Sequence, residues 1–281
     1  MFPTTDQIGM AAYYRWARRG HAHGRDRHDW LAAEQEMRFG LNYEVLVRHR
    51  LDGVGPQHLG DRDDRRCRFC EQTAPRASFG APRLAVPASL GNRSLLSYEE
   101  CDECYAQFVE SAAFDLDWFV EATRWGDDAR SLCYVPVAAF KGLARSAMAI
   151  LPEEELQFFE DAIEWVGNPD HDLDSRTIGG LECTVHALPE PVSFSWASLA
   201  RRLDDDVPMP YILAFFGVGH HVFQVPLPLS VRDEDLEGVL DVPRVPSPFG
   251  PGRGPLDAQT RVVGLSSADP RRDMLLESAG R

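Results

Sequence analysis

Two pairs of cysteines constrain this chain more than any other feature. Cys67-Arg68-Phe69-Cys70 and Cys101-Asp102-Glu103-Cys104 repeat the pattern C-x2-C, with thirty residues between them. Two cysteines set two residues apart on a tight turn can present both thiolates to one ion. Two such knuckles close a tetrahedral S4 site, which suits structural zinc. Cys67, Cys70, Cys101 and Cys104 are therefore the expected metal ligands, with Zn2+ as the cofactor. The interval is longer than a compact ribbon needs, so it must hold structure of its own. Arg83-Leu84-Ala85-Val86 reads as extended and ends at Pro87, and Leu90-Gly91-Asn92 reads as a turn, which together predict a hairpin. Directly after Cys104 the apolar residues Phe108, Ala112, Leu116, Phe119 and Val120 fall at helical spacing.

Knuckle, hairpin, knuckle, helix is a treble-clef, ββα-like order. On these residues the segment resembles the zinc-containing branch of the HNH endonuclease family: Cys67 to Cys70, then Ser78-Phe79, then Pro87-Ala88-Ser89-Leu90-Gly91-Asn92, then Glu100-Cys101-Asp102-Glu103-Cys104. That branch reads C-x2-C, an aromatic, A-H-x-x-P-x-S-L-G, then E-C-D-x-C-N. The resemblance covers about forty residues and implies that the four cysteines hold zinc. It also implies a His three residues before the Pro as general base, with a second metal such as Mg2+ at the scissile phosphate. Here that position is Leu84, and Tyr105 stands where the family has Asn. No His occurs from Leu59 to Asp170. Phosphodiester hydrolysis needs a base to activate water and a metal to stabilise developing charge, and leucine supplies neither. The ligands carry over and the nuclease centre does not. The expected function is a zinc-stabilised, non-catalytic binding or scaffold protein. The alternatives are an HNH-type endonuclease using Mg2+, with a base relocated to a residue such as His58 or His171, and a nucleic-acid-binding protein that does not cleave.

Charge bears on the last alternative. Net charge is −15, but residues 1–100 carry 15 Arg against 13 Asp and Glu, whereas residues 101–281 carry 14 Lys and Arg against 31 acids. Affinity for nucleic acid comes largely from neutralising phosphates. Any such surface would lie in the Arg/His-rich N-terminal third, which holds His21, His23, His28, His49 and His58. No run of about eighteen apolar residues could span a membrane. The start of the chain is polar and unlike a signal peptide, so a cytoplasmic location and no membrane partner are expected. Paired knuckles in such a chain favour metal over disulfides. Cys133 and Cys183 lie in apolar patterns and read as buried thiols.

The predicted fold class is α+β: N-terminal helices over 1–60, the zinc treble clef over 61–126, helices plus an antiparallel sheet over 127–232, and a disordered Pro/Gly-rich tail over 233–281. Gln7 to Arg19 and a stretch from Asp26 or Asp29 to about Phe39 read as helices, and a third is expected over Tyr43 to His49. Ala12 to Glu34 resembles a short bacterial helical family of unknown function. A strand is expected over Ser131 to Pro136. Phe140, Leu143, Ala144, Ala147 and Leu151 predict a helix, and Pro152 opens another, with Glu153, Glu154 and Glu155 on a solvated first turn and Leu156, Phe159, Ile163 and Val166 inside. About four strands follow: Leu181 to Ala187 with one wet face, Phe194 to Arg202, Tyr211 to Phe216 at the centre, and an edge strand through Phe223, Val225 and Leu227 marked by Pro226 and Pro228. The pair His220-His221 and the triplet Asp204 to Asp206 read as exposed turns.

Overall fold

A computed structural model of the chain describes residues 1–124, 134–171, 181–236, 240–249 and 255–266. Helices α1 (Thr5–Arg18) and α2 (Asp26–Asn42) form an N-terminal hairpin. Strands β1 (Tyr43–Arg50) and β2 (Gln57–Leu59) lead into the cysteine segment, which contains β3 (Arg83–Leu84) and β4 (Leu95–Ser97). Helix α3 (Asp102–Phe108) passes through one π-helical turn, Val109–Ala113, into α4 (Phe114–Arg124). Then come β5 (Val135–Pro136), α5 (Val137–Met148), α6 (Glu153–Leu156) and α7 (Glu160–Gly167). Strands β6 (Glu182–Ala187), β7 (Trp196–Arg202), β8 (Ile212–Val218), β9 (His221–Pro226) and β10 (Gln259–Ser266) complete the order.

The result is an α+β protein built on a large antiparallel sheet. Its seven strands run β1-β7-β8-β9-β6-β10-β5, and β10 with β5 is the parallel pair among them. Alternate residues of β8 serve two cores. Ile212, Ala214, Phe216 and Val218 face a core shared with Leu116, Phe119, Phe140, Leu143 and Phe159, while Leu213 and Phe215 face Phe39, Tyr43, Trp196 and Val245. A strand covered on both faces reads as a continuous apolar run, as Ile212 to Val218 does. The first core also takes Leu51 from the loop after β1 and Ala85, Val86, Leu90 and Leu95 from the cysteine segment, so that segment is packed onto the helical face of the sheet.

Several expectations are corrected. Tyr43 to His49 is strand β1, paired antiparallel with β7 from Tyr43↔Arg202 to Arg50↔Trp196, and not a third helix. Its aromatic and β-branched residues Tyr43, Val45 and Val47 suit a pleated edge that β7 leaves open. The sheet has seven strands rather than four. Strand β9 lies between β8 and β6, not at an edge. Pro226 is tolerated because the β6 partnership ends at Thr184↔Gln224, short of the proline. Strand β6 has no wet face: Thr184 and His186 are buried. The expected tail explains why. Gln259–Ser266 pairs with β6 as β10, and Val245 is buried on the sheet with its N–H donating to Gln224 at 3.0 Å. Tail composition misled for 242–249 and 259–266, which lie against the sheet instead of forming a core alone; residues 267–281 of the expected tail lie outside the described residues. The helix opened by Pro152 is two pieces, α6 and α7, parted where Phe158 and Phe159 both turn onto Tyr211. Glu155 is not solvated but buried, accepting from the Tyr211 hydroxyl at 2.6 Å and pairing with Arg201.

The hairpin β3–β4 forms as predicted, with Leu84↔Leu96 in register and Gly91 at φ +83°. Asn92 closes it by donating to Val86 O and Leu95 O and accepting from the Leu95 N–H. Of the strand expected from Ser131, Val135–Pro136 is seen, while residues 131–133, with Cys133, lie outside the described residues. Cys183 is fully buried, and burial pushes its thiol pKa up.

Candidate metal centre

The first knuckle is a tight turn. Cys67 N–H donates to Gln72 O at 2.9 Å, Glu71 N–H donates to Cys67 O at 2.7 Å, and Glu71 takes the left-handed conformation, φ +57°. The turn brings Cys67 and Cys70 to one side. The second knuckle is the start of α3. Cys101 is its N-cap, and the Cys101 Sγ accepts from the Cys104 N–H at 3.4 Å, so both thiols sit on the first helical turn. Asp102 joins the two halves, accepting from Ser78 Oγ at 2.8 Å, Gly80 N–H at 3.1 Å and Arg83 Nη2 at 2.9 Å.

These turns bring Cys67, Cys70, Cys101 and Cys104 together, with all four Sγ atoms within 4.8 Å of one another. Cys70 Sγ and Cys101 Sγ are 3.7 Å apart. A tetrahedron of sulfurs about 2.3 Å from a zinc ion has edges of about 3.8 Å, so the donor set fits such an ion. The acid–base state of the thiols is uneven. A hydrogen bond from Cys104 pulls Cys67 down to about 4, while burial pushes Cys101 up to about 12 and Cys104, as the donor to Cys67, is raised. Sulfurs packed this closely cannot all ionise unless a cation shares their charge. The four cysteines could hold a metal ion such as zinc.

Two arginines that the sequence reading passed over fasten the site to the helices. Arg68, inside the first knuckle, donates to Leu151 O at 3.1 Å and also to Met148 O, and it pairs with Glu99 at 2.9 Å. The carbonyls it reaches end α5. Arg145 on α5 pairs with Glu100, donates to Cys104 O at 3.1 Å and lies 3.7 Å over the Phe69 ring. Burial raises the Glu100 pKa, and Arg145 opposes that shift. The one signal in the sequence was a pair of charges, Lys141 and Arg145, one turn apart in a helix that is otherwise mostly apolar. Half-buried Cys70 opens onto a cleft of about 600 Å3 lined by Glu71, Glu153, Glu160 and Glu164.

Leu84, where the resemblance has its base, and His58 do not meet. Leu84 and His58 lie on opposite sides of Leu96 in the three-stranded sheet β2-β4-β3. Two strand spacings separate them, about 10 Å. His58 instead stacks on Tyr98 at 5.0 Å, and His171 donates from Nε2 to Ser111 O at 2.9 Å. His220 is exposed at its hairpin tip. Asp205 of the acidic triplet pairs with Arg232 at 3.0 Å. Among the described residues no helix is long and apolar enough to cross a membrane.

Residues 3–38 match a family described as a protein of unknown function, DUF2934. The match spans α1 and most of α2. No curated protein and no solved structure matches the chain.

Proposed function

We propose that Cys67, Cys70, Cys101 and Cys104 hold one structural Zn2+ in a treble clef of HNH type, and that this module is a binding or scaffold element without nuclease chemistry. What carries the reading is the combination of four converging sulfurs with Leu84 where the resembling family keeps its base. The HNH resemblance rests on the residues quoted for it. The hairpin β3–β4, its closure by Asn92 and the helix that starts at the second knuckle are the local geometry it calls for. In this reading residues 61–126 are the module, residues 1–60 a helical unit ahead of it, and the protein is cytoplasmic. Plasmid nicking with added Mg2+ or Mn2+ tests it. The expected result is no cleavage by wild type or by Leu84→His, since Tyr105 also departs from the family pattern. Cleavage by wild type that disappears in Cys101→Ser would show a nuclease with a relocated base.

A second reading, nucleic-acid binding without cleavage, is favoured by one observation. Arg65 lies 4.8 Å over Tyr98, whose other neighbour is the exposed ring of His58. Stacked aromatics beside cations are how single strands are held without sequence readout. Binding of a labelled oligonucleotide that weakens steeply with salt, and weakens further in Tyr98→Ala, would support it. Salt-independent or absent binding would remove it.

A further inference from the structure

A cleft of about 930 Å3 lies between α2 and β10, bordered by residues 244–246 and 255–258. Small-molecule sites are typically clefts of about 300–1,000 Å3 with apolar walls and a few placed polar groups. One wall is the stripe His28, Leu31, Ala32 and Gln35, residues three or four apart on α2 that share a face. The other wall is β10, which presents Thr260 and Val262. Leu31 and Val262 are 48% and 37% exposed. Scattered apolar residues on a surface are ordinary, but two on opposite walls of one cleft make a place for an apolar body. The polar groups are specific. Gln35 Oε1 accepts the Arg244 N–H at 2.8 Å, which leaves the Gln35 amide NH2 as a donor. The Arg244 side chain gives Nη2 to Glu182 at 2.9 Å, and Arg25 gives Nη1 to Asp257. A guanidinium carries five N–H groups, so both keep donors after these pairs form, and both residues are exposed. The charges balance: Arg15, Arg25 and Arg244 each have a carboxylate, in Glu36, Asp257 and Glu182. The cleft is therefore rich in donors and close to neutral. A group with several negative charges would be left uncompensated there, whereas one acidic group finds hydrogen bonds without that cost.

We infer that this cleft is a binding site for a small organic acid with a single acidic group and an apolar body. The acid's oxygens accept from Arg244 and from the Gln35 amide, and the body lies between Leu31 and Val262. The site joins the segment matched by the family of unknown function to the sheet, since its first wall belongs to residues 3–38 and its second to β10. Two links cross the same junction: Arg15 donates to Leu256 O at 3.0 Å, and Arg25 pairs with Asp257. Sequence alone could not assemble it, because Gln35 and Arg244 meet only once residues 242–249 lie on the sheet. The inference is independent of the zinc site.

Fluorescence titration of the full-length protein, with its metal, tests it. The probe is anilinonaphthalene sulfonate, which carries one acidic group on an aromatic body. Saturable, blue-shifted binding of about one probe per chain is expected, with Kd on the order of 10–100 µM. Arg244→Ala and Leu31→Asp each weaken it about tenfold or more, with an unchanged melting temperature because both side chains are exposed. Met10→Asp, in a separate groove beside α1, leaves binding as in wild type. Benzoate displaces the probe, and pyrophosphate at the same concentration does not. Absence of saturable binding would overturn the inference. So would binding indifferent to Arg244→Ala and Leu31→Asp, or binding lost in Met10→Asp, since the probe would then sit elsewhere. Displacement by pyrophosphate as effective as by benzoate would overturn the class of ligand.

Discussion

The cysteine segment and the seven-stranded sheet lie in one molecule and are held together by different physics. Around the four thiols the buried apolar set is Cys67, Ala77 and Cys101, with Phe69, Cys70, Phe79 and Cys104 partly buried. The sheet buries side chains on both faces and is sealed by helices on one side and by α2 with residues 242–249 on the other. Burial of apolar surface stabilises by roughly 25 cal/mol per Å2, which the sheet has in quantity and the knuckles do not. The knuckles spend their residues on polar turns that place sulfur. Where a chain cannot bury enough surface, a shared cation can take over the role of a core. The comparison also locates the joint between the regions: Arg68 and Arg145, each reaching backbone carbonyls across the boundary.

The largest expected effect is at the metal. Cys101→Ser should release zinc and unfold the knuckles, because structural zinc contributes on the order of 10 kcal/mol to folding of its own site. Hydrogen exchange should then be fast at Cys67–Glu71 while β8 amides keep most of their protection. Equal loss in both regions would mean that they are not separable. Next comes the mirror experiment. Phe215 is fully buried, with its ring edge-on to Phe39, and Phe215→Ala should cost about 3–5 kcal/mol by chemical denaturation while zinc content stays the same. A third variant addresses the joint. Arg145→Ala leaves Glu100 buried without its cation, so a loss of about 3 kcal/mol is expected, with looser attachment of the knuckles to α5. Wild-type stability in that variant would make the ion pair ornamental.

A smaller effect separates the regions by pH. His186, buried in the sheet, bonds Thr260 Oγ1 at 2.9 Å and Gln224 Oε1 at 3.1 Å, and burial lowers its pKa to about 4. The unfolded chain takes up the proton near pH 6.5 and the folded one only near 4. Stability is therefore retained above the unfolded pKa and falls as pH drops through this window, by up to about 3 kcal/mol. His186→Gln should remove that part of the slope. An identical pH profile in wild type and variant would place the histidine's contribution elsewhere.

What could be read from the sequence followed the range of the interactions. The cysteine knuckles, the β3–β4 hairpin and the helix faces of α4 and α5 are set by residues close in sequence, and their patterns were legible there. Strand β1 was not. Tyr43-Glu44-Val45-Leu46-Val47 fits either period, and its partner β7 is far away in the chain. Strand β10 was hidden for the same reason: Thr260 to Val263 sits among glycines, prolines and charges and becomes a strand by pairing with β6. Burial of Glu155 and His186 depends on Tyr211, Arg201 and Gln224, none of them near in sequence. At the candidate site, the four cysteines that come together could be picked out from their spacing, whereas Arg68 and Arg145 emerged only once α5 was in place.

The most direct measurement is zinc content of the purified protein together with X-ray absorption at the zinc edge. One zinc per chain with four sulfur neighbours at about 2.3 Å, lost in Cys101→Ser, is the result expected of a sulfur-held staple. No bound zinc, or a shell of nitrogen and oxygen neighbours, would contradict the assignment of Cys67, Cys70, Cys101 and Cys104 as its ligands.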